Sequence, residues 1–480
     1  MKPNRIFKPL FSLLALALLC TCSAKLDPRY LSPGAPVITS VTPATGVVSG
    51  GTLLTVTGKN FRTGLLKAVL GGNTCAIQSV TPTQFTCITA AHASNSVDLV
   101  VTATDTLEVG KLSNAFGYVA FLYAPSEVSP NKIDGFVINP FTGALTRTPN
   151  SPYSAGAGSN NGYGINVHPS NKFLYVSNLN TNNVTGFSIN TATGELTLLT
   201  PTSAFASVSQ AEAIYFSPDG NFMYAAGLGT PANVMSYNVN TTTGAVSPIG
   251  GAVAVTGCNN ASQITTDPNN KYLFVSCTGN GSGGGGSGLA VMSIAADGSL
   301  THITGGVCAT GVCGGGSGDA ITMDITGNFV YMGQVGVAGV LNGSAVANGG
   351  VAWYQIDLTT GIPSSQGIIN HGDNSALGSG SSVETTGSYL VTSARASGTV
   401  QMWQLVNGIP VFLQDYGAAQ GVTADTNDAR FDKTGRFMYT SCTNSGTIDS
   451  FTVNLTNGTL THIASQAALG TKPGVMDITY

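Results

Sequence analysis

The chain has 480 residues, a net charge of −4 and only 8% charged residues, against 42% apolar ones and 62 glycines. That length leaves room for more than one domain, and the charge excludes a nucleic-acid-binding surface, which needs clustered Lys and Arg to displace counterions. Low charge with abundant Gly, Ser, Thr and Asn points instead to a β-rich protein working outside the cytoplasm.

The first element is a cationic stretch, Lys2, Arg5 and Lys8, followed by the apolar run LFSLLALALLC (10–20). The run is too short to span a bilayer comfortably, so residues 1–22 read as an export signal. It ends in LCTC. Cys22, with Leu19 three residues before it and Thr21 immediately before, resembles the acylated cysteine of a bacterial lipoprotein signal. Cys20 is the second choice, because bulky Leu19 directly precedes it. Residues 23–36 then form a proline-stiffened tether, and the expected location is the bacterial cell envelope: an outer-membrane lipoprotein or a secreted protein.

Residues 37–118 hold short alternating runs: PVITSVTPATGVVSGGTLLTVTGKNF (36–61), LKAVLGG (66–72), CAIQSV (75–80), QFTCITA (84–90) and VDLVVTAT (97–104). Short strands with frequent turn signals predict a β-sandwich. Three features resemble the IPT/TIG family of immunoglobulin-like domains: the opening Ile38–Pro43, the core Gly50–Gly58, and the G-G-x-x-C…C pair. The resemblance implies a spacer or binding module without chemistry, and a disulfide between Cys75 and Cys87. The other cysteines after the signal are Cys258, Cys277, Cys308, Cys313 and Cys442. An odd set leaves at least one thiol free. Local pairs Cys308–Cys313 or Cys258–Cys277 are both open, and no spacing suits a zinc site.

From residue 119 onward one hairpin recurs, as in NVTGFSINTATGELTLL (183–199) and IDSFTVNLTNGTLTHI (448–463). Its turn glycines are Gly143, Gly194, Gly244, Gly298, Gly361, Gly408 and Gly458. Their spacing of roughly fifty residues lies in the range of propeller repeats. Each hairpin follows a strand such as KFLYVSN (172–178) or RFMYTSC (436–442), and most of these follow a further short strand and a tight turn such as IYFSPDGN (214–221). One repeat is therefore four strands. Such a sheet, apolar on both faces, is stable only in a closed ring where neighbours cover it. The first repeat lacks its first strand and the chain ends on a spare one, KPGVMDITY (472–480), so the last segment is expected to close the first blade. The predicted fold is all-β: an Ig-like sandwich followed by a seven-bladed β-propeller over 119–480. The repeats resemble the lactonase-like propellers related to 6-phosphogluconolactonase and to YVTN-type surface propellers.

In lactonase-like members, charged residues gather at one mouth of the central channel, from the starts of first strands and the ends of second strands. Carried onto this chain, those positions give Glu127, Glu212, Asp319 and Arg395 as candidate catalytic residues, with Asp428 also at a strand start. Paired carboxylates could do acid–base work or bind a polar ligand; the bland alternative is solvated loop charge around a wet channel. Asn-Glu and Pro-His positions common in that family are mostly absent here, and Arg147 and Arg436 fall on the opposite face. His168 reads as a turn cap, His302 and His462 as repeat positions, and His92 and His371 as sandwich and loop residues. No metal or cofactor is expected. GNGSGGGGSG (279–288) lacks the Lys and helix of a phosphate loop; it and 335–350 read as enlarged loops at the mouth. The expected function is binding of a glycan, peptide or protein partner at the mouth, with membrane attachment through the lipid; the alternative is hydrolysis of a sugar lactone.

Overall fold

The computed structural model describes residues 34–479, apart from 130, 157–160, 200–203, 280–285, 304–317, 335–338, 342–343, 347–349, 370–381, 396–397 and 470–471. Cys20, Cys22, Cys308, Cys313, His371 and most of the glycine loop at 279–288 lie outside the described residues.

The N-terminal unit is a sandwich. One sheet orders Val37–Thr42, Leu53–Lys59, Gln84–Ile88 and Ala76–Thr81; the other stacks Leu66–Leu70, Asn95–Ala103 and Val109–Pro125. Alternation along these strands sends Leu54, Val56, Phe85, Leu99 and Phe116 inward. Cys75 and Cys87 are bonded within this core.

The strand Val109–Pro125 does not stop at the sandwich. Its first part pairs with Asn95–Ala103, and its last part pairs with Lys132–Ile138 as the second strand of the first propeller blade. Asp477–Ile478 pairs with the same strand at Tyr123 and Leu122, supplying that blade's innermost strand. Arg436 adds a polar joint, donating to Asn95 Oδ1 at 2.7 Å and Ser96 Oγ at 2.8 Å.

Among the described residues, seven sheets with four blade strands each surround a channel. Blade two, for example, runs Gly162–Val167, Phe173–Asn178, Asn183–Ile189 and Leu196–Leu198, from the channel outward. Blade seven runs Thr426–Phe431, Phe437–Cys442, Thr447–Val453 and Leu460–Ala467. Apolar layers fill the gaps between blades, as where Tyr224, Val234 and Ala226 of blade three meet Ile264, Val275 and Met292 of blade four. Cys258 and Cys277 are bonded there, while Cys442 is free and buried. Within 335–350, read above as a plain loop, Gly339–Leu341 pairs with Ser344–Val346 as a short ribbon.

The recurring glycines are explained by the blade interface. All seven turn glycines have φ between +72° and +81°, where a side chain is strained. At every one, an added Cβ would come within 2.2–2.6 Å of the aromatic ring that opens the second strand of the preceding blade. Gly194 sits on Phe121, Gly244 on Phe173, Gly298 on Phe222, Gly408 on Phe329 and, across the closure, Gly143 on Phe437. Four of these glycine carbonyls also accept a hydroxyl from the preceding blade: Tyr123 to Gly194 at 2.8 Å, Tyr175 to Gly244, Tyr331 to Gly408 at 2.9 Å and Tyr439 to Gly143 at 3.0 Å.

Gly298→Ala is expected to destabilise the fold by about 1–3 kcal/mol in urea unfolding, from left-handed strain plus the clash with Phe222. Gly251→Ala, where an added Cβ meets nothing within 4 Å, is the control and should stay within about 0.5 kcal/mol. Equal losses in the two variants would refute the packing account.

Candidate functional site

The innermost strands place one side chain per blade at each level of the channel. One level holds Asn166, Tyr215, Thr265, Thr322, Glu384, Arg430 and Asp477, each directly opposite the equivalent residue of its second strand. Arg430 crosses this level. Its Nη1 donates to Glu384 Oε2 at 2.6 Å and its Nε to Asp428 Oδ2 at 3.0 Å. Asp428 Oδ2 also accepts from the Met476 amide at 2.6 Å, and Asp477 Oδ2 accepts from the Val167 amide at 2.7 Å and Asn166 Nδ2 at 3.1 Å. Burial opposes the Arg430 charge, but Asp428, Glu384 and Asp477 outweigh it and hold the guanidinium protonated. Burial pushes the Asp477 carboxyl up, against the pull of Lys433 and the Val167 amide.

This belt divides the channel. On one side is a throat of about 60 Å³ lined by Tyr163, Glu212, Ser262, Gln263 and Asp477. On the other is a bowl of about 350 Å³, lined by Thr265, Thr322, Glu384, Asp432 and Lys433 among others.

At the throat end, side chains from three blades converge. Glu127 follows the second strand of blade one, and its amide donates to the Lys472 carbonyl at 2.9 Å. Asn427 Nδ2 donates to Glu127 Oε1. Arg395, which follows the second strand of blade six, places Nη2 3.7 Å from Glu127 Oε2, and its Nε donates to Asp425 Oδ1 at 3.2 Å. The group is sheltered, the Glu127 side chain being 14% exposed and that of Arg395 28%. Burial raises the Glu127 pKa, and nearby Asp425 adds to this; Arg395 and the Asn427 bond offset only part of it. Burial also works against the Arg395 charge, but Glu127 and Asp425 prevail and keep it protonated.

Of the four candidate residues, two are brought into direct proximity. Glu127 and Arg395 meet. Glu212 stands in blade three, 6% exposed, accepting from Ser262 Oγ of blade four at 2.9 Å on the throat wall. The backbone of Asp319 sits at a register irregularity in Gly318–Met323, and its side chain lies outside the described residues. Arg147 pairs with Asp134 at 2.6 Å. His168 Nε2 donates to the Gly220 carbonyl at 2.8 Å and its Nδ1 lies 2.8 Å from Ser170 Oγ, tying its turn to the next blade.

Four participants were not singled out from the sequence: Asp425, Asn427, Glu384 and Arg430. Asp428-Ala-Arg430 did carry a signal, because alternate residues of an innermost strand both face the channel. Asp425 stands at a repeat position that is Asn161 and Asn260 in two other blades, but its partner Arg395, like Asn427's partner Glu127, lies in another blade.

Comparison with known proteins agrees with this architecture. Residues 36–118 match the family model for the IPT/TIG domain, and residues 118–258 that for the lactonase, 7-bladed beta-propeller. The chain joins an IPT/TIG domain to a lactonase-like propeller. Solved structures similar to it include a candidate 6-phosphogluconolactonase from Bacteroides fragilis, with TM-score 0.60 and 16% identity over 75% of this chain and 98% of that one. The periplasmic gluconolactonase of Pseudomonas aeruginosa aligns with TM-score 0.57 and 14% identity over 75% and 99%. At such identities the likeness concerns the fold, and the lactonase-like propeller's chemistry rests on its own residues.

The raised Glu127 pKa has a sign that can be checked. Below the ordinary carboxylate range the folded and unfolded chains both hold the proton; as pH rises through the folded value, the ionised group weakens the fold. Glu127→Gln should thus be at least as stable as wild type in thermal melts near pH 7, with the difference gone near pH 3. A variant clearly less stable near pH 7 would contradict the burial-dominated assignment.

Proposed function

We propose that this chain is an exported, lipid-anchored protein whose propeller mouth binds a small polyhydroxylated ligand of the sugar-acid and sugar-lactone class. The observation that carries the reading is the Glu127–Arg395–Asp425 network drawn from blades one, six and seven. Alternating carboxylate acceptors and guanidinium donors, with the Asn427 carboxamide beside them, match the paired hydroxyls of a sugar.

Export is supported by the cationic and apolar N-terminal pattern and by the Cys75–Cys87 and Cys258–Cys277 disulfides, which suit an oxidising compartment. Anchoring rests on Cys22 in its lipoprotein-like context. Metabolic labelling with a radioactive fatty acid in a bacterial host should mark the wild type and not Cys22→Ala; label persisting in that variant would move the anchor to Cys20 or elsewhere.

A second reading, lactone hydrolysis at the same mouth, is favoured by the raised Glu127 pKa. Such a carboxylate can take a proton from an attacking water while Arg395 stabilises the oxyanion, and return it to the departing ring oxygen. The deciding experiment uses the purified full-length chain in detergent. Calorimetry with gluconate tests binding, and proton release from glucono-1,5-lactone and its 6-phosphate tests turnover. We expect gluconate to bind the wild type and to bind Arg395→Ala at least about tenfold more weakly. Lactone turnover above the buffer rate that is lost in Glu127→Gln would establish the enzyme, and no binding by either probe would refute the mouth as a sugar-acid site.

A further inference from the structure

Described blades two, three, four and seven enter their innermost strand through one residue in the left-handed region. These are Asn161, Gln210, Asn260 and Asp425, with φ of 57°, 46°, 56° and 66°. In each, the carbonyl of that residue accepts the amide of the residue after the second strand: Leu179 at 3.0 Å, Leu228 at 3.2 Å, Thr278 at 3.0 Å and Thr443 at 3.1 Å. The job is local and structural. Asparagine suits it because its short carboxamide tolerates this conformation and bonds the nearby backbone. Asn260 does both, accepting from the Gly229 amide at 3.1 Å and donating to the Gly279 carbonyl at 3.0 Å.

Blade seven performs the same turn with a carboxylate. Asp425 Oδ2 makes the local bond, from the Asn444 amide at 2.9 Å. The turn itself therefore requires no charge, as the sibling asparagines demonstrate. What the charge adds is the second oxygen, which receives Arg395 Nε from the neighbouring blade at 3.2 Å. That bond fixes one edge of the guanidinium, and the other edge then faces Glu127. The 3.7 Å gap to Glu127 Oε2 exceeds a direct hydrogen bond, so the two can close on a ligand oxygen set between them.

We infer that Asp425 is a positioning residue: its carboxylate, placed where blades two, three and four use a neutral side chain, aims Arg395 across the mouth toward Glu127 and the ligand. The inference rests on the mouth being the binding site proposed above.

The test is Asp425→Asn, which gives blade seven the residue that blades two and four already carry. The melting temperature should stay close to wild type, because the turn is retained. In nitrogen-15 arginine-labelled protein, the Arg395 Nε–H signal, assigned by its absence in Arg395→Lys, should shift and lose protection from solvent exchange. Gluconate should bind roughly tenfold more weakly, as expected for loss of one charge-assisted bond. Restoration of signal and affinity in Asp425→Glu would add support. A wild type that binds gluconate, with an Asp425→Asn variant equal to it in affinity and in the Nε–H signal, overturns the inference and leaves the mouth's function intact. A wild type that binds neither gluconate nor the lactone overturns both.

Discussion

The ring depends on a contact that only glycine permits: a hairpin turn laid flat on the aromatic ring of the blade before it. The same step is taken from Phe121 under Gly194 round to Phe437 under Gly143. With no Cβ between them, the turn and the ring approach to a fixed separation, and the interblade tyrosines set the angle by reaching the same glycine carbonyls. The joint between blades seven and one is built from the same parts as the joints along the chain. Hydrophobic burial between blades supplies most of the cohesion, but it is non-directional, and the glycine step is what converts it into a ring of defined radius. The positions of Glu127 and Arg395, on blades that meet only because the ring closes, follow from that radius.

A chain with so few charges places several of them with a purpose. The Arg430 belt spends one guanidinium and three carboxylates where water is largely excluded, an arrangement that is stable only when every member is paired. It lies between the throat and the bowl. Beside the mouth at Glu127 and Arg395, the throat wall carries Tyr163 and Glu212. Arg436 and Arg62 serve the sandwich, the latter bonded to Asp105 at 2.5 Å and Glu108 at 3.1 Å.

The architecture was legible in the sequence because a propeller repeats its instructions. The turn glycines, the aromatic opening each second strand, and the odd strand at each end are local patterns that need no knowledge of contacts. The site was legible only in part. Glu127 and Arg395 occupy the same repeat position in different blades and could be compared by register. Asp425 shares its repeat position with Asn161, Gln210 and Asn260, but register alone does not show that its carboxylate reaches Arg395 of blade six, or that Asn427 reaches Glu127 of blade one. Glu212, at the start of a first strand, lines the throat and accepts from Ser262 of the next blade. The uninterrupted strand from Val109 to Pro125 was hidden by a change of partner, since its two halves pair with different sheets while its own alternation barely changes.

That shared strand has a mechanical meaning. The sandwich and the propeller are joined by one continuous piece of β-structure, flanked by the parallel segment Thr45–Val47 on the sandwich side and by Asp477–Ile478 on the other. Force applied at the sandwich travels along a single backbone into the blade where the ring is closed without a covalent link. Because the flanking strands lie alongside it, such a pull loads their hydrogen bonds in shear, over the three paired residues of Thr45–Val47 and the two of Asp477–Ile478. The seam of the ring is thus also the place where the sandwich is joined to it.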